Sequence, residues 1–93
     1  MISITADRAE QLRAEKVLLV KAETDIEDGW KRLRNQQDLL RELRAGGHDT
    51  KLAERLVGLM MQTLVEWERH RILIVERVAY LEKETYPEAL RKG

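Results

Sequence analysis

The side chains that could bind a metal in this sequence are two histidines and the acids near them. His70 follows Glu66 by four residues on a predicted helix. Carboxylate metal sites in helical bundles use Glu-x-x-His, which places both ligands on one face at i and i+3. The residue three before His70 is Trp67, and His48 is distant in sequence, so four ligands do not converge. We therefore predict no metal site.

Residues for covalent or acid–base catalysis are equally sparse. The chain has no cysteine, and its one serine, Ser3, has no histidine or acid placed to activate it. Gly46 and Gly47 precede a predicted helix, as phosphate-binding loops do, but Asp49 would repel a phosphate and no Walker-type lysine follows. The acids of residues 25–28 lie on a predicted exposed face, where no burial raises a pKa. We predict no enzymatic activity and no cofactor.

Basic residues cluster around the two glycines, which raises the alternative of a weak nucleic-acid-binding protein. The whole chain has 17 basic and 17 acidic residues, whereas nucleic-acid binders normally carry a basic excess. Acids also interleave with the cluster, so we favour a solvated surface and consider nucleic acid an improbable partner. The basic residues concerned are Lys31, Arg32, Arg34, Arg41, Arg44, Lys51 and Arg55.

The elements that position these side chains are two predicted helices. The first spans about 5–45, with Ser3 or Thr5 as its cap, and Gly46-Gly47 ends it. A capping-box pattern at Thr24–Glu27, followed by Gly29, leaves open whether this helix is continuous. One helical face, the leucine row, recurs every seven residues and consists of Leu12, Leu19, Ile26, Leu33 and Leu40.

The second helix spans about 50–85, with Asp49 or Thr50 as its cap and Tyr86-Pro87 at its end. Residues 87–93 form a short tail. The predicted turn at 46–49 is so short that the helices must lie antiparallel. Residues in alternating steps of four and three form the second-helix core row, which consists of Ala53, Val57, Met60, Leu64, Trp67, Arg71, Ile74, Val78 and Leu81.

The turn also predicts the register, because facing residues in such a hairpin should have numbers that sum to about 95. Leu33 then faces Met60 and Met61. Arg71 is the one charge on the second-helix core row, and its partner by register is Glu23, so we predict an ion pair that fixes the register. Glu23 was assigned to a second row of the first helix, consisting of Ala9, Lys16, Glu23, Trp30 and Gln37.

Both helices carry more apolar residues than one helix pair can cover. The simplest explanation is a homodimer in which two hairpins form a four-helix bundle. Two alternatives are a three-helix monomer made by a broken first helix, and a different protein partner. Trp30 and Trp67 are predicted as anchors of the interface. The complete set of candidate interface residues is Trp30, Leu52, Leu56, Leu59, Trp67, Leu73 and Tyr80.

Several segments resemble a group of short, uncharacterised bacterial proteins. The similar segments are residues 30–37, with the basic-Gln-Gln pattern, the Gly47-His48-Asp49-Thr50 turn and the Ala53-Glu54 helix start. Arg69-His70-Arg71 is also similar to the second helix of that group. The resemblance covers about half of the chain and implies a bacterial helical hairpin, without a function to transfer.

These observations define an all-α fold, a coiled-coil-like antiparallel two-helix hairpin in a single domain covering 1–93. The absence of cysteine and of a visible signal peptide fits a cytoplasmic protein. The longest apolar runs, 17–20 and 56–61, are far shorter than the roughly 20 residues of a membrane span. We predict a protein-interaction or regulatory module that presents helix surfaces.

Overall fold

The computed structural model describes residues 4–85, which form two helices. Helix α1 is Ile4–Ala45 and helix α2 is Lys51–Thr85. Both bounds lie within one residue of the sequence prediction, and the all-α hairpin is confirmed. Helix α1 runs without interruption through Thr24–Gly29, so the broken first helix needed for a three-helix monomer is not found in the described part. The predicted cap at Ser3 and the predicted tail at 87–93 lie outside the described residues.

The connection between the helices is closed by main-chain hydrogen bonds around Gly47. This residue has a φ of 73°, a left-handed conformation that only glycine adopts without steric cost. The N–H of Gly47 donates to the carbonyl of Arg44 (3.1 Å), and that of His48 donates to the carbonyl of Leu43 (2.9 Å). These are the two bonds of a Schellman motif. Of the two predicted caps of α2, Asp49 accepts the N–H of Lys51 through its Oδ1 at 3.0 Å. The carbonyl of Thr50 accepts the N–H of Glu54 at 2.8 Å, which places Thr50 at the N-cap position.

The chain separates into two compact units. The turn unit is Thr24–Arg69, and the terminal unit combines Met1–Glu23 with His70–Gly93. In the turn unit, Ile26, Leu33 and Leu64 form the buried cluster, with Val57 and Met60 packed against it. Leu33 is the most completely buried side chain, with 1% of its surface exposed. The predicted packing of Met60 against the Leu33 cluster is therefore confirmed, whereas Met61, which was also predicted to face Leu33, is 49% exposed and outside the cluster.

In the terminal unit, Leu12, Ile74 and Leu81 are buried. Two ion pairs join the helices there, namely Lys16 with Glu82 at 3.6 Å and Arg77 with Glu15 at 3.3 Å. Within each unit, the contacting pairs follow the register predicted from the turn. In the turn unit, the corresponding ion pair is Arg44 with Glu54 at 2.8 Å.

The second row of α1 lies one residue earlier than predicted. Its members are all buried or half-buried, and they are Arg8, Glu15, Ala22, Gly29, Gln36 and Leu43. In the predicted row, Lys16, Glu23 and Trp30 are exposed, while Ala9 and Gln37 are half-buried. The prediction missed the true row because that row contains small and polar residues, whereas Trp30 had suggested an apolar position. Arg71 is half-buried, and its ion pair with Glu23 stays a prediction.

Neither α1 nor α2 contains a stretch that is long and apolar enough to cross a membrane, over the residues that are described.

Candidate interaction surface

An apolar groove lies between the two helices of the turn unit, with a volume of about 260 Å³. Its floor is made by Gly29 of α1 and by Leu64 and Trp67 of α2. Thr63 and Arg32 are the polar residues that line it. The complete lining is Gly29, Arg32, Leu56, Leu59, Met60, Thr63, Leu64 and Trp67. A site of this composition offers van der Waals contact and one positive charge.

Gly29 gives the groove its depth. A Cβ atom placed on this residue would lie 2.7 Å from Leu64 Cδ2 and 3.3 Å from Trp67 Cζ3. The first distance is shorter than van der Waals contact, so a side chain at this position would require Leu64 to move. The sequence had suggested Gly29 as a weak point in α1. The structure instead shows that Gly29 packs against two residues of α2 through the absence of its own side chain.

Arg32 differs from several neighbouring basic residues because it has no ion-pair partner within the described part of the chain. Arg44 pairs with Glu54, and Arg41 contacts Asp38 one turn away. Lys31 lies 3.8 Å from Glu27 in the same way. Part of the predicted basic cluster is therefore neutralised locally, which reduces its attraction for a phosphate backbone.

The Arg44–Glu54 pair also joins the ends of the two helices beside the turn. The hydrogen bond from Arg44 lowers the pKa of the Glu54 carboxyl below its ordinary value of 4.5. Thr50 Oγ1 donates a second hydrogen bond to the same oxygen, at 3.3 Å. Both partners are about half exposed, so the pair specifies local geometry more than it stabilises the fold.

The seven candidate interface residues are all exposed in the single chain. Leu56, Leu59 and Trp67 line the groove, and Leu52, one turn before Leu56, is 81% exposed. Leu73 and Tyr80 belong to the terminal unit, where they are 62% and 52% exposed. The structure thus brings Leu56, Leu59 and Trp67 together at one site.

The two tryptophans have different environments. Trp67 is at a core-row position, lines the groove, and has its Cζ3 atom next to Gly29. Trp30 follows Gly29 on α1, is 42% exposed, and does not line the groove. Because successive residues of a helix point about 100° apart, Trp30 lies on a different flank of α1 from Arg32.

A second, more polar pocket of about 370 Å³ lies in the terminal unit. Its central group is Glu15, whose side chain is only 15% exposed and accepts a hydrogen bond from Arg77 Nη1. The other carboxylate oxygen, Oε2, is buried and has no hydrogen-bond partner. Arg8, Gln11 and Tyr80 complete the polar lining. Neither this pocket nor the groove contains a histidine.

Potential metal ligands do not converge within residues 4–85, where no group of three or more histidine, aspartate or glutamate side chains is suitably placed. His48 and His70 are both exposed. The candidate interface set contained Leu56, Leu59 and Trp67 of the groove, while Met60 and Leu64 had been predicted as core-row residues. Gly29, Arg32 and Thr63 were not predicted at this site. A small residue at a seven-residue interval from Ala22 was the signal that could have indicated Gly29.

No known protein family matches this sequence, and no curated protein or solved structure is significantly similar to it. The resemblance to short bacterial helical-hairpin proteins stays a prediction.

Proposed function

We propose that this protein is a protein-interaction module that works by presenting apolar helix surfaces, and that its first partner is a second copy of itself. The observation that carries this proposal is the groove beside Leu56 and Leu59. An apolar concave surface of this kind is typical of sites that accept side chains from a partner helix. The proposed assembly is a homodimer in which two hairpins form a four-helix bundle.

The exposed apolar side chains of the turn unit support self-association. Leu52 is 81% exposed, Leu59 is 51% exposed and Leu56 is 42% exposed in the single chain. Leu56 and Leu59 line the groove, and Leu52 precedes Leu56 by one turn. A row of leucines in contact with water is stabilised by burial against a second copy.

The experiment is a measurement of mass in solution by sedimentation equilibrium over a wide range of protein concentrations. We expect the wild-type protein to be dimeric. The Leu59→Asp variant should be monomeric and still helical by circular dichroism, because Leu59 is half exposed and outside the buried cluster. The matched control is Val17→Asp, at a 69% exposed position of the terminal unit, which should remain dimeric. A wild-type mass that stays monomeric at every concentration would contradict the homodimer.

Nucleic acid is the alternative ligand to test in the same preparation. Filter binding of labelled RNA and DNA at low salt should give no retention. Retention that disappears as the salt concentration rises would instead indicate phosphate contacts. In that case Arg32, Arg34 and Arg55, which have no ion pair among the residues that the structure describes, would be the first to substitute.

A further inference from the structure

We propose that the dimer forms by pairing of the groove face of the turn unit with the same face of a second copy, in antiparallel orientation. In this arrangement Arg32 of each chain forms an ion pair with Glu42 of its partner. The inference rests on the proposed function, and it adds the contact surface, the orientation and the charged pairs.

The groove face has a polar and an apolar half. On α1, Arg32, Asn35, Leu39 and Glu42 follow one another in steps of three, four and three and form an exposed stripe outside the leucine row, with Arg32 and Leu39 nearer the leucine row and Asn35 and Glu42 farther from it. Arg32 lines the groove and Leu39 is 43% exposed. On α2, the matching row is Leu52, Leu56 and Leu59, all exposed. The face therefore carries an apolar row, with a cation and an anion at the two ends of the other row.

A two-fold axis lying in the contact plane, across the helices, stacks α1 on the partner's α1 and α2 on the partner's α2. Each residue on one side of the axis then faces the partner's residue that lies equally far from the axis on the other side. An axis placed between Leu56 and Leu59 brings each of these leucines onto the other one in the partner. On α1, an axis between Asn35 and Leu39 brings Arg32 onto Glu42.

These two positions of the axis agree with each other. The hairpin register places residues near 37 on α1 at the same level as residues near 58 on α2, because facing numbers sum to about 95. A single axis therefore satisfies the leucine contacts and the charge contacts together. The positions of Leu56 and Leu59 on α2 do not by themselves require that Arg32 and Glu42 lie at equal distances on either side of the axis on α1.

The charges on this face favour a second copy over other partners. Within the described chain, neither Arg32 nor Glu42 has an ion-pair partner, whereas the neighbouring Arg41 and Arg44 are both paired. Glu42 would repel the phosphates of a nucleic acid. A uniformly acidic partner helix would also offer no cation to Glu42. The second copy supplies the opposite charge at both positions.

The experiment uses charge reversal. Arg32→Glu and Glu42→Arg should each weaken the dimer about tenfold, because two favourable pairs per dimer become repulsive. The double variant, Arg32→Glu with Glu42→Arg, should recover the wild-type dissociation constant. Mixing the two single variants should yield mainly the mixed dimer in native mass spectrometry, since only the mixed dimer has opposite charges at both pairs.

Arg34→Glu is the matched control, because Arg34 also has no ion pair in the described chain but lies roughly 200° around α1 from Arg32, on a different flank of the helix. It changes the net charge equally and should leave the dissociation constant unchanged. The inference would be overturned if the dissociation constant of the dimer changed as little with Arg32→Glu as with Arg34→Glu and the two single variants mixed at random. That result would leave the proposed homodimer intact. A monomeric wild-type protein would overturn both.

Discussion

Replacing Gly29 by alanine should destabilise the protein, although alanine is the better helix former. The added methyl group would lie 2.7 Å from Leu64 Cδ2. Leu64 is only 3% exposed and belongs to the buried cluster with Ile26 and Leu33, so its Cδ2 atom can give way only toward the groove that it also lines. Either Leu64 leaves its preferred rotamer or α2 moves away from α1 at this level.

The magnitude follows from two opposing terms. Alanine gains about 1 kcal/mol over glycine in a helix interior. Overpacking of a buried site costs about 1–3 kcal/mol. The net change in the free energy of unfolding should therefore be a loss of roughly 0–2 kcal/mol, and the upper part of this range applies if the hairpin cannot relax.

Gly58→Ala provides the reference, because a Cβ atom at Gly58 would have no neighbour within 4 Å. This substitution should stabilise the protein by about 0.5–1 kcal/mol through helix propensity alone. The difference between the two variants isolates the steric term. The assay is urea unfolding followed by circular dichroism, with all proteins at one concentration because self-association makes stability concentration-dependent.

A third variant tests the cause directly. In a Leu64→Ala background the blocking methyl group is absent, so Gly29→Ala should become stabilising, with a coupling energy of about 1–3 kcal/mol. If Gly29→Ala stabilises the wild-type protein as much as Gly58→Ala does, the close approach of the helices at this level is refuted. A loss of stability that persists unchanged in the Leu64→Ala background would assign the effect to some other contact.

Three further predictions concern the turn and the groove. Gly47→Ala should lower the free energy of unfolding by about 1–2 kcal/mol, measured by urea unfolding, because its φ of 73° disfavours a Cβ atom. The Glu54 pKa, followed by NMR titration of its side chain, should lie below 4.5 and rise in an Arg44→Gln variant that removes the hydrogen bond. Since folding lowers this pKa, the stabilising effect of the Arg44–Glu54 pair should be complete above pH 4.5 and should be lost as the pH falls through the pKa of the folded state. A Glu54 pKa that does not change in the Arg44→Gln variant would contradict the assignment. If the groove is the dimer interface, acrylamide should quench the fluorescence of Trp67 less as the protein concentration rises, while quenching of Trp30 should stay constant. The measurement uses two variants that each retain one tryptophan. Equal protection of both tryptophans would place the interface elsewhere.

Much of the fold could be predicted from the sequence because large apolar residues repeat at a regular interval. The leucine row identifies the buried face of α1 without ambiguity, since five matches at seven-residue spacing have no alternative register. Gly46-Gly47 fixes the position of the turn, and the turn fixes which residues face each other. Leu33 and Met60 were placed together by these two facts alone.

The second row of α1 could not be predicted in the same way, because its members share position but not hydrophobicity. Ala22 and Gly29 are small, while Glu15 and Gln36 are polar. Their burial depends on the volume of the residues opposite, and Trp67 and Leu64 occupy the space that a larger residue at position 29 would fill. Whether the side-chain volumes of two facing helices fit together depends on both segments at once. The periodicity of one segment alone therefore cannot predict it.

The same distinction decides which candidate interface residues can act together. Leu52, Leu56 and Leu59 form one row of α2, while Trp67 belongs to the core row and Trp30 to another flank of α1. Hydrophobicity alone grouped all of them as one interface, yet one flat contact cannot cover separate flanks of a helix pair. The flank that contains Arg32 and Glu42 beside the leucines has both an apolar contact area and opposite charges. A surface with that combination can be satisfied by its own copy, whereas an apolar flank without charges would accept many partners in many registers.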